Sequence, residues 1–354
     1  MIQSVGMEAS LRKRLLGEAY FLRAFYYFDV VTNFGDAPLL TKTIESFEDA
    51  YSVSGRSDKS LIWEQIDKDL SEAKKNIPEG KYSSDSEPWR VSLGAVLAME
   101  AKAALYRNNF EAALAAINEL QGKHYYELND NYFDAFNQNV EFAEDEVIFA
   151  YDHQSNKTPA NGNGLCALLG WGFFAPSESL IREFEENDPR LSLTVDTDKK
   201  MVFKVLGTLD AINQGNEDAA SNKVYIRYAD VLLWKAECLI KTDKVSEAID
   251  LINQIRERAR KTVGVDGVIV PPVGTLPARD RMASKEQAWE WLIHERRVEL
   301  ALESHRFRDL KRWGIAKEVL NANGQDFQDR NYLFPIPQKD IDKSGGKLTQ
   351  NEGY

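Results

Sequence analysis

Several common classes of protein are excluded by what this sequence has little of. No uninterrupted apolar run reaches the roughly 18 residues that a membrane-spanning helix needs. The most apolar helix-like stretch, Leu11 to Val31, is broken by Arg12, Lys13, Arg14, Glu18, Arg23 and Asp29, so it belongs to a core. Two cysteines in 354 residues, Cys166 and Cys238, cannot make a disulfide scaffold. Four histidines, His124, His153, His294 and His305, show no metal-ligand spacing such as HExxH, and no Asp-x-Asp-x-Asp-Gly loop is present. Neither a zinc centre nor a Ser-His-Asp site has support. Cations are in deficit: 44 Lys and Arg against 56 Asp and Glu give a net charge of -12, which repels phosphate backbones and sets nucleic acid aside as a partner. Met1 to Ser10 lacks a basic region followed by an apolar one, which on its own predicts a chain that stays in the cytoplasm.

What is present is a large core and an internal repeat. With 43% hydrophobic residues the chain can fill one large domain or two ordinary ones. Val224 to Arg260 reads as a helical hairpin. Leu232, Ala236 and Leu239 fall at helical spacing, Lys241-Thr242-Asp243-Lys244 turns, and Val245, Ala248, Ile252 and Ile255 restart the period. Ala236 and Ala248 matter because antiparallel helices approach closely only where facing side chains are short. A shift of 135 residues brings the pattern back as Leu97, Ala101 and Ala104, the turn Arg107-Asn108-Asn109, then Phe110, Ala113, Ile117 and Leu120. Such a repeat resembles the tetratricopeptide helix-turn-helix unit, with copies separated by long insertions.

Leu11 to Thr32 is predicted to be a helix apolar nearly all round, with Leu15, Ala19, Leu22 and Tyr26 on one face and Leu16, Tyr20, Ala24, Tyr27 and Val31 on another; such a helix is sandwiched between neighbours. It ends at Gly35, and Leu61 to Ala73 returns as its partner after a loop of about 25 residues. Glu146 to Tyr151 has the character of a short strand. His153 to Trp171 is a Gly/Asn/Ser-rich loop, followed by a helix from Ser177 to Glu186. Val263 to Met282 is a loop, Ser284 to Glu303 the last long helix, His305 to Lys317 its partner, and Asn331 to Tyr354 an extended tail. The expected architecture is all-α: four tetratricopeptide-like hairpins near 11–73, 92–121, 226–260 and 284–317, long irregular insertions, and minor β content.

Five stretches in order carry a family resemblance. They are Glu18-Ala-Tyr-Phe-Leu-Arg-Ala24 running into Phe34-Gly-Asp-Ala-Pro38; Asp188-Pro-Arg190; Tyr225-Ile-Arg-Tyr-Ala-Asp-Val-Leu-Leu233; His294-Glu-Arg-Arg-Val-Glu-Leu-Ala-Leu-Glu-Ser-His-Arg-Phe-Arg-Asp-Leu-Lys-Arg-Trp-Gly314; and Tyr332-Leu-Phe-Pro-Ile-Pro337 with Gln350-Asn-Glu-Gly-Tyr354. Together they resemble the SusD/RagB proteins, surface glycan-binding lipoproteins of the Bacteroidetes outer membrane. The resemblance implies a single SusD-like domain over 1–354, with the ligand loops in the insertion 122–223. It further implies a non-enzymatic protein, lipid-anchored at the cell outer membrane and exposed at the surface, that binds an oligosaccharide or other nutrient and delivers it to a SusC-type TonB-dependent transporter. Family members begin with a lipoprotein signal, a lipidated cysteine and further helices. Here the Glu-Ala-Tyr-Phe-Leu-Arg motif starts at Glu18, so the expectation is that those segments are missing and that the membrane is met only through an anchor outside this chain.

Three chemical readings compete. Glu295, Glu299, Glu303 and Asp309 interleave with Arg296, Arg297, Arg306 and Arg312; neighbouring guanidiniums lower a carboxyl pKa, which points to a structural ion network and away from a glycosidase pair. Asp188 and Arg190 read the same way. Gly162-Asn-Gly164-Leu-Cys-Ala167 matches GxGxxA, but the candidate strand ends near Tyr151, too early for a dinucleotide turn, so no cofactor is expected. Sugar binding needs flat aromatic faces and amide or carboxylate partners for hydroxyls. Trp171 between glycines, Phe173, Phe174, Asn161 and Asn163 supply both, with Trp89 a second aromatic candidate. The alternative for Trp171 is an anchor that pins its loop to the core. A tetratricopeptide adaptor gripping a peptide in a groove, and an α-helical glycosidase, are the rival functions.

Overall fold

The computed structural model describes residues 5–262 and 271–354. In chain order the elements are α1 (Ala9–Phe34), α2 (Phe47–Ser52), α3 (Lys59–Asn76), α4 (Leu93–Tyr106), α5 (Phe110–Gly122), β1 (Val147–Tyr151), α6 (Gly164–Gly170), α7 (Glu178–Ile181), α8 (Arg190–Thr194), β2 (Val195–Asp196), β3 (Met201–Val202), α9 (Phe203–Leu206), β4 (Lys223–Arg227), α10 (Tyr228–Lys241), α11 (Val245–Lys261), α12 (Lys285–Glu299), α13 (Arg306–Arg312), α14 (Ala316–Ala322) and α15 (Gln338–Lys343). The protein is all-α with tetratricopeptide-like hairpins and minor β content. Its contacts fall into two compact units, Met1–Pro78 with Phe307–Tyr354, and Glu79–Arg306.

In the first unit α1 pairs with α3. Gly17 admits the close approach, since a Cβ there would sit 2.9 Å from the Ile77 side chain. One stripe of α1 is buried, Gly17, Phe21, Ala24, Phe28 and Val31 at alternating spacings of four and three, with Glu18 beside it. The expected sandwich is therefore corrected, because Ala19, Leu22 and Tyr26 are exposed. Arg23 forks onto Asp69 at 2.6 and 2.7 Å. Arg56 bonds the Phe34 and Asp36 carbonyls and, at 2.6 Å, Asn351 Oδ1, while Asn351 Nδ2 donates to the Phe34 and Phe334 carbonyls. The tail is not simply extended as expected; it carries a short 3-10 turn at Asp329–Tyr332 and α15. Gly314, at φ 74°, breaks the expected His305 to Lys317 helix into α13 and α14.

In the second unit α4 and α5, and α10 and α11, form the repeated hairpins, and α12 packs on α10 and α11. Ala101, Ala104, Ala113, Ala236 and Ala248 are buried. The two turns are the same turn. Asn108 and Asp243, 135 residues apart, both take positive φ (58° and 63°), and Asn109 N–H and Lys244 N–H reach back to the Ala104 and Leu239 carbonyls at 3.0 and 2.8 Å. Lys223–Arg227 is a strand and not the start of the hairpin, because Val224 and Ile226 alternate inward and pair antiparallel with β1. Gly164–Gly170 is a helix and not loop, since Cys166, Ala167 and Leu169 face the core and Asn163 caps its start. The helix expected from Ser177 ends at Ile181. Helix α12 stops at Glu299, four residues early, where Leu302 and Ser304 turn to positive φ. Of the Val263 to Met282 loop, residues 263–270 lie outside the described residues; 271–282 form no regular element.

Candidate functional site

The site is built on the C-terminal end of α6. Its last carbonyls are satisfied by a Schellman cap: Gly172 N–H bonds the Leu169 carbonyl at 3.1 Å and Phe173 N–H bonds the Leu168 carbonyl at 3.0 Å. Such a cap requires a residue at positive φ, and Gly172 supplies it at 78°. The turn throws the flanking rings outward. Trp171 is 60% exposed and Phe173 74%, with centroids 6.3 Å apart and planes at 72°, an edge-on pair open to solvent. Phe174 goes the other way and packs on the core cluster of Met201, Phe203 and Leu206. The pinning that could have been assigned to Trp171 is done by Phe174 and by two glycines. A Cβ on Gly170 would lie 2.3 Å from Gly215 N, and one on Gly162 would lie 2.3 Å from Asp218 Cα, so the loop after α9 lies directly against both ends of α6.

The structure divides the remaining candidates. Asn163 is 2% exposed; its Oδ1 caps Leu165 N–H and its Nδ2 donates to Ser221, so it holds the loop and offers nothing to a ligand. Asn161 is half-buried, donates to the Asp152 carbonyl at 2.8 Å and accepts from the Tyr151 hydroxyl at 3.0 Å. Trp89 is 40% exposed, but its ring neighbour is Phe142, 6.4 Å away, and neither ring of the α6 cap. Tyr151 was not singled out from the sequence. It is 49% exposed, stands 4.7 Å from the His153 ring and shares Asn161 with it, since His153 Nδ1 lies 3.1 Å from the Asn161 carbonyl. Strand alternation was its signal: Ile148 and Ala150 are buried, so Phe149 and Tyr151 face out.

The charged motifs form a separate, closed centre. Arg190 bonds Asp188 at 2.7 Å, Glu295 at 2.5 Å and Glu299 at 2.9 Å; Arg227 bonds Glu146 at 2.5 Å, Glu299 at 2.8 Å and Glu303 at 2.8 Å. Arg258 joins Glu146 to Glu299, and Lys204 bonds Glu303 at 2.7 Å. Burial alone would raise the Glu299 pKa, yet Arg258, Arg227 and Arg190 outweigh it and hold it far below the usual carboxylate range. Burial opposes Glu303 likewise, and Arg227 with Lys204 brings it down to about 2. Neither carboxyl can carry a proton at neutral pH, as a general acid must. Among the described residues no group of three or more His, Cys, Asp or Glu is arranged to hold a metal ion.

With this geometry in view, comparison with known proteins is specific. The profile of the SusD family matches residues 197–331, and that of a second SusD-like family, described as starch-binding and associating with the outer membrane, matches residues 4–105. SusD-like protein P38 of Formosa agariphila is 29% identical, over 96% of this chain and 74% of its own length. SusD-like protein P2 of the same organism is 25% identical over 95% and 73%. A laminarin-binding SusD-like protein superposes with a TM-score of 0.78 at 26% identity, covering all of this chain and 81% of its own. A SusD homologue from Bacteroides thetaiotaomicron gives the same TM-score and coverage at 21% identity, a likeness of fold alone. The chain belongs to the SusD/RagB family.

Proposed function

We propose that this protein binds a glycan, without chemical turnover, through the exposed Trp171–Phe173 pair, and that it does so at the outer-membrane surface as the lipid-anchored partner of a SusC-type TonB-dependent transporter. The observation that carries the reading is the pair itself. Two large rings are held in solvent by a glycine-capped helix end whose Ala167, Leu168 and Leu169 carbonyls are bonded, an arrangement that costs burial and gains nothing for the fold. A pyranose C–H face stacks on such a ring. The laminarin-binding relative, above a quarter identical over the whole chain, supports a glycan as the ligand class.

Binding is favoured over hydrolysis by the carboxylates. Those of the charged motifs are neutralised by arginine. Glu141, which burial raises to about 7, lines a cavity of only about 20 Å³, too small for a sugar ring. The test is affinity electrophoresis in gels containing laminarin, starch, xylan or alginate. One glycan retards the unaltered protein, and Trp171→Ala loses at least tenfold in affinity with an unchanged melting temperature. Retardation that survives both Trp171→Ala and Phe173→Ala sinks the site; reducing sugar released on incubation sinks the non-enzymatic reading.

A further inference from the structure

The second unit also holds a cleft of about 770 Å³ that the reading above does not use. That volume lies within the range of small-molecule sites, roughly 300–1,000 Å³. Its floor is apolar, made by Met201, Phe203 and Leu209, and its walls carry Ser192, Asp196 and Asp210. The cleft shares its apolar floor with the residue that follows Phe173. Phe174 packs in the same cluster as Met201, Phe203 and Leu209. The loop that forms the rim at Asp210 and Ala211 continues to Gly215, whose N–H bonds the Cys166 carbonyl of α6 at 2.9 Å.

The carboxylates of the cleft differ in what they have left to offer. Asp188 is spent on Arg190, and Glu185 on Arg256 and Arg279. Asp196 uses Oδ1 for the N–H groups of Asp198 and Lys199, and Asp210 uses Oδ1 for the N–H of Ile212. Asp196 Oδ2 has only exposed Lys199, 3.8 Å away, and Asp210 Oδ2 has no hydrogen bond within the described residues. Each of these two side chains is thus oriented by the backbone and presents one spare acceptor. Spare acceptors over an apolar floor match a ring with hydroxyl donors at its edge and C–H groups on its face. A carboxylate or sulfate on that ring would meet like charge from both aspartates, opposed by one exposed ammonium, that of Lys199 on the same lining.

We propose that this cleft is a second subsite of the glycan, taking an uncharged pyranose of the same chain that stacks on Trp171, so that the ligand is a neutral oligosaccharide long enough to span both. The proposal rests on the glycan reading above. It is tested by titrating the full chain with laminarin, starch, xylan and alginate, then repeating with the glycan that binds on Ala211→Trp, which fills the mouth, and Asp210→Asn, which weakens an acceptor.

The expected result is binding of a neutral glycan and not of alginate, a fall in affinity of at least fivefold for Ala211→Trp and about twofold to fivefold for Asp210→Asn, and unchanged melting temperatures. Unaltered affinity in both variants, with loss in Trp171→Ala, overturns the cleft and leaves the glycan reading standing. Alginate bound as tightly as any neutral glycan overturns the charge argument. Failure of the unaltered protein to bind any of the four overturns the glycan reading and the proposal with it.

Discussion

The ion network and the α6 cap lie in one unit of the molecule and are built on opposite terms. In the network the guanidiniums and carboxylates are buried and, apart from the local Asp188–Arg190 pair, answered by residues far away in sequence; Arg190 meets Glu295, and Arg227 meets Glu146. In the cap two aromatic rings are exposed, and what holds them is a local turn of three residues. The network fixes where helices and strands meet, and nothing in solution can reach it. The cap fixes almost nothing in the fold and faces solvent. A change in the first should therefore read out as stability, and a change in the second as affinity.

The largest way to break that separation is Arg190→Ala. It strands buried Asp188 and takes one arginine each from Glu295, which keeps Arg256, and Glu299, which keeps Arg227 and Arg258; removal of one partner of such a group costs on the order of 3–5 kcal/mol. Urea unfolding is expected to show that loss; a change below about 1 kcal/mol would mean the network is not a stabilising centre.

A smaller effect sharpens the same contrast at the network's edge. His294 stands 3.0 Å from Glu183 and 3.2 Å from Glu185. Burial would lower its pKa, but the two carboxylates prevail and raise it to about 9. Because the folded value lies above the unfolded one of 6.5, the stabilisation is complete below pH 6.5 and is lost as pH rises through 9. Melting temperature is expected to fall between pH 6.5 and 9.5 in the unaltered protein and to fall less in His294→Gln; parallel curves would dismiss the pairing.

The smallest expected change is Gly172→Ala. A methyl group at positive φ costs about 1 kcal/mol, and nothing lies within 4 Å of the added Cβ to clash with it. The melting temperature should drop by a few degrees while glycan affinity falls further than the stability loss explains, because Phe173 is misdirected. A drop in stability with affinity intact would detach the cap from ligand binding.

What was legible in the sequence follows the same division. The repeat could be read because helical period and short alanines are local signals, and even the positive-φ turn recurs at Asn108 and Asp243. The expected ion network set Glu295, Glu299, Glu303 and Asp309 against Arg296, Arg297, Arg306 and Arg312; the structure keeps Asp309 with Arg312 but corrects the rest, since the three glutamates are met by Arg190, Arg227, Arg256, Arg258 and Lys204 from other elements, while Arg296 turns to Asp230 and Arg297 to Glu183. The motif residues Phe34, Phe334 and Asn351 meet in the other unit through Arg56 and the Asn351 amide. The resemblance is thus carried by scaffold, and its motifs did not contain Trp171, Phe173 or Tyr151.

The misses have a common cause. Helix α6 was hidden because its seven residues begin and end in glycine; contact with Gly215 explains the second, Gly170, and nothing packs against the first, Gly164. Asn163 reads as a ligand residue because an exposed amide and a capping amide look alike in sequence, and the structure makes it the cap of α6. Helix α12 ended early because Glu303 is drawn to Arg227 and Lys204, and no local signal encodes that pull.

The pairing of β1 with β4 has one more consequence. Tyr151 and Lys223 face each other at the end of the ribbon, so residues 152–222, which include the α6 cap and most of the cleft, leave and rejoin the scaffold through one zipped stem. Within the segment, Arg190 and Lys204 then clamp it to Glu295, Glu299 and Glu303 of the frame. The α6 cap carries none of these bonds, so recognition can diversify there while the stretch from Asp188 to Lys204 must stay matched to the helices. Grafting 152–222 onto another frame should carry the ligand preference along only where that frame supplies the same two strands and the same three glutamates.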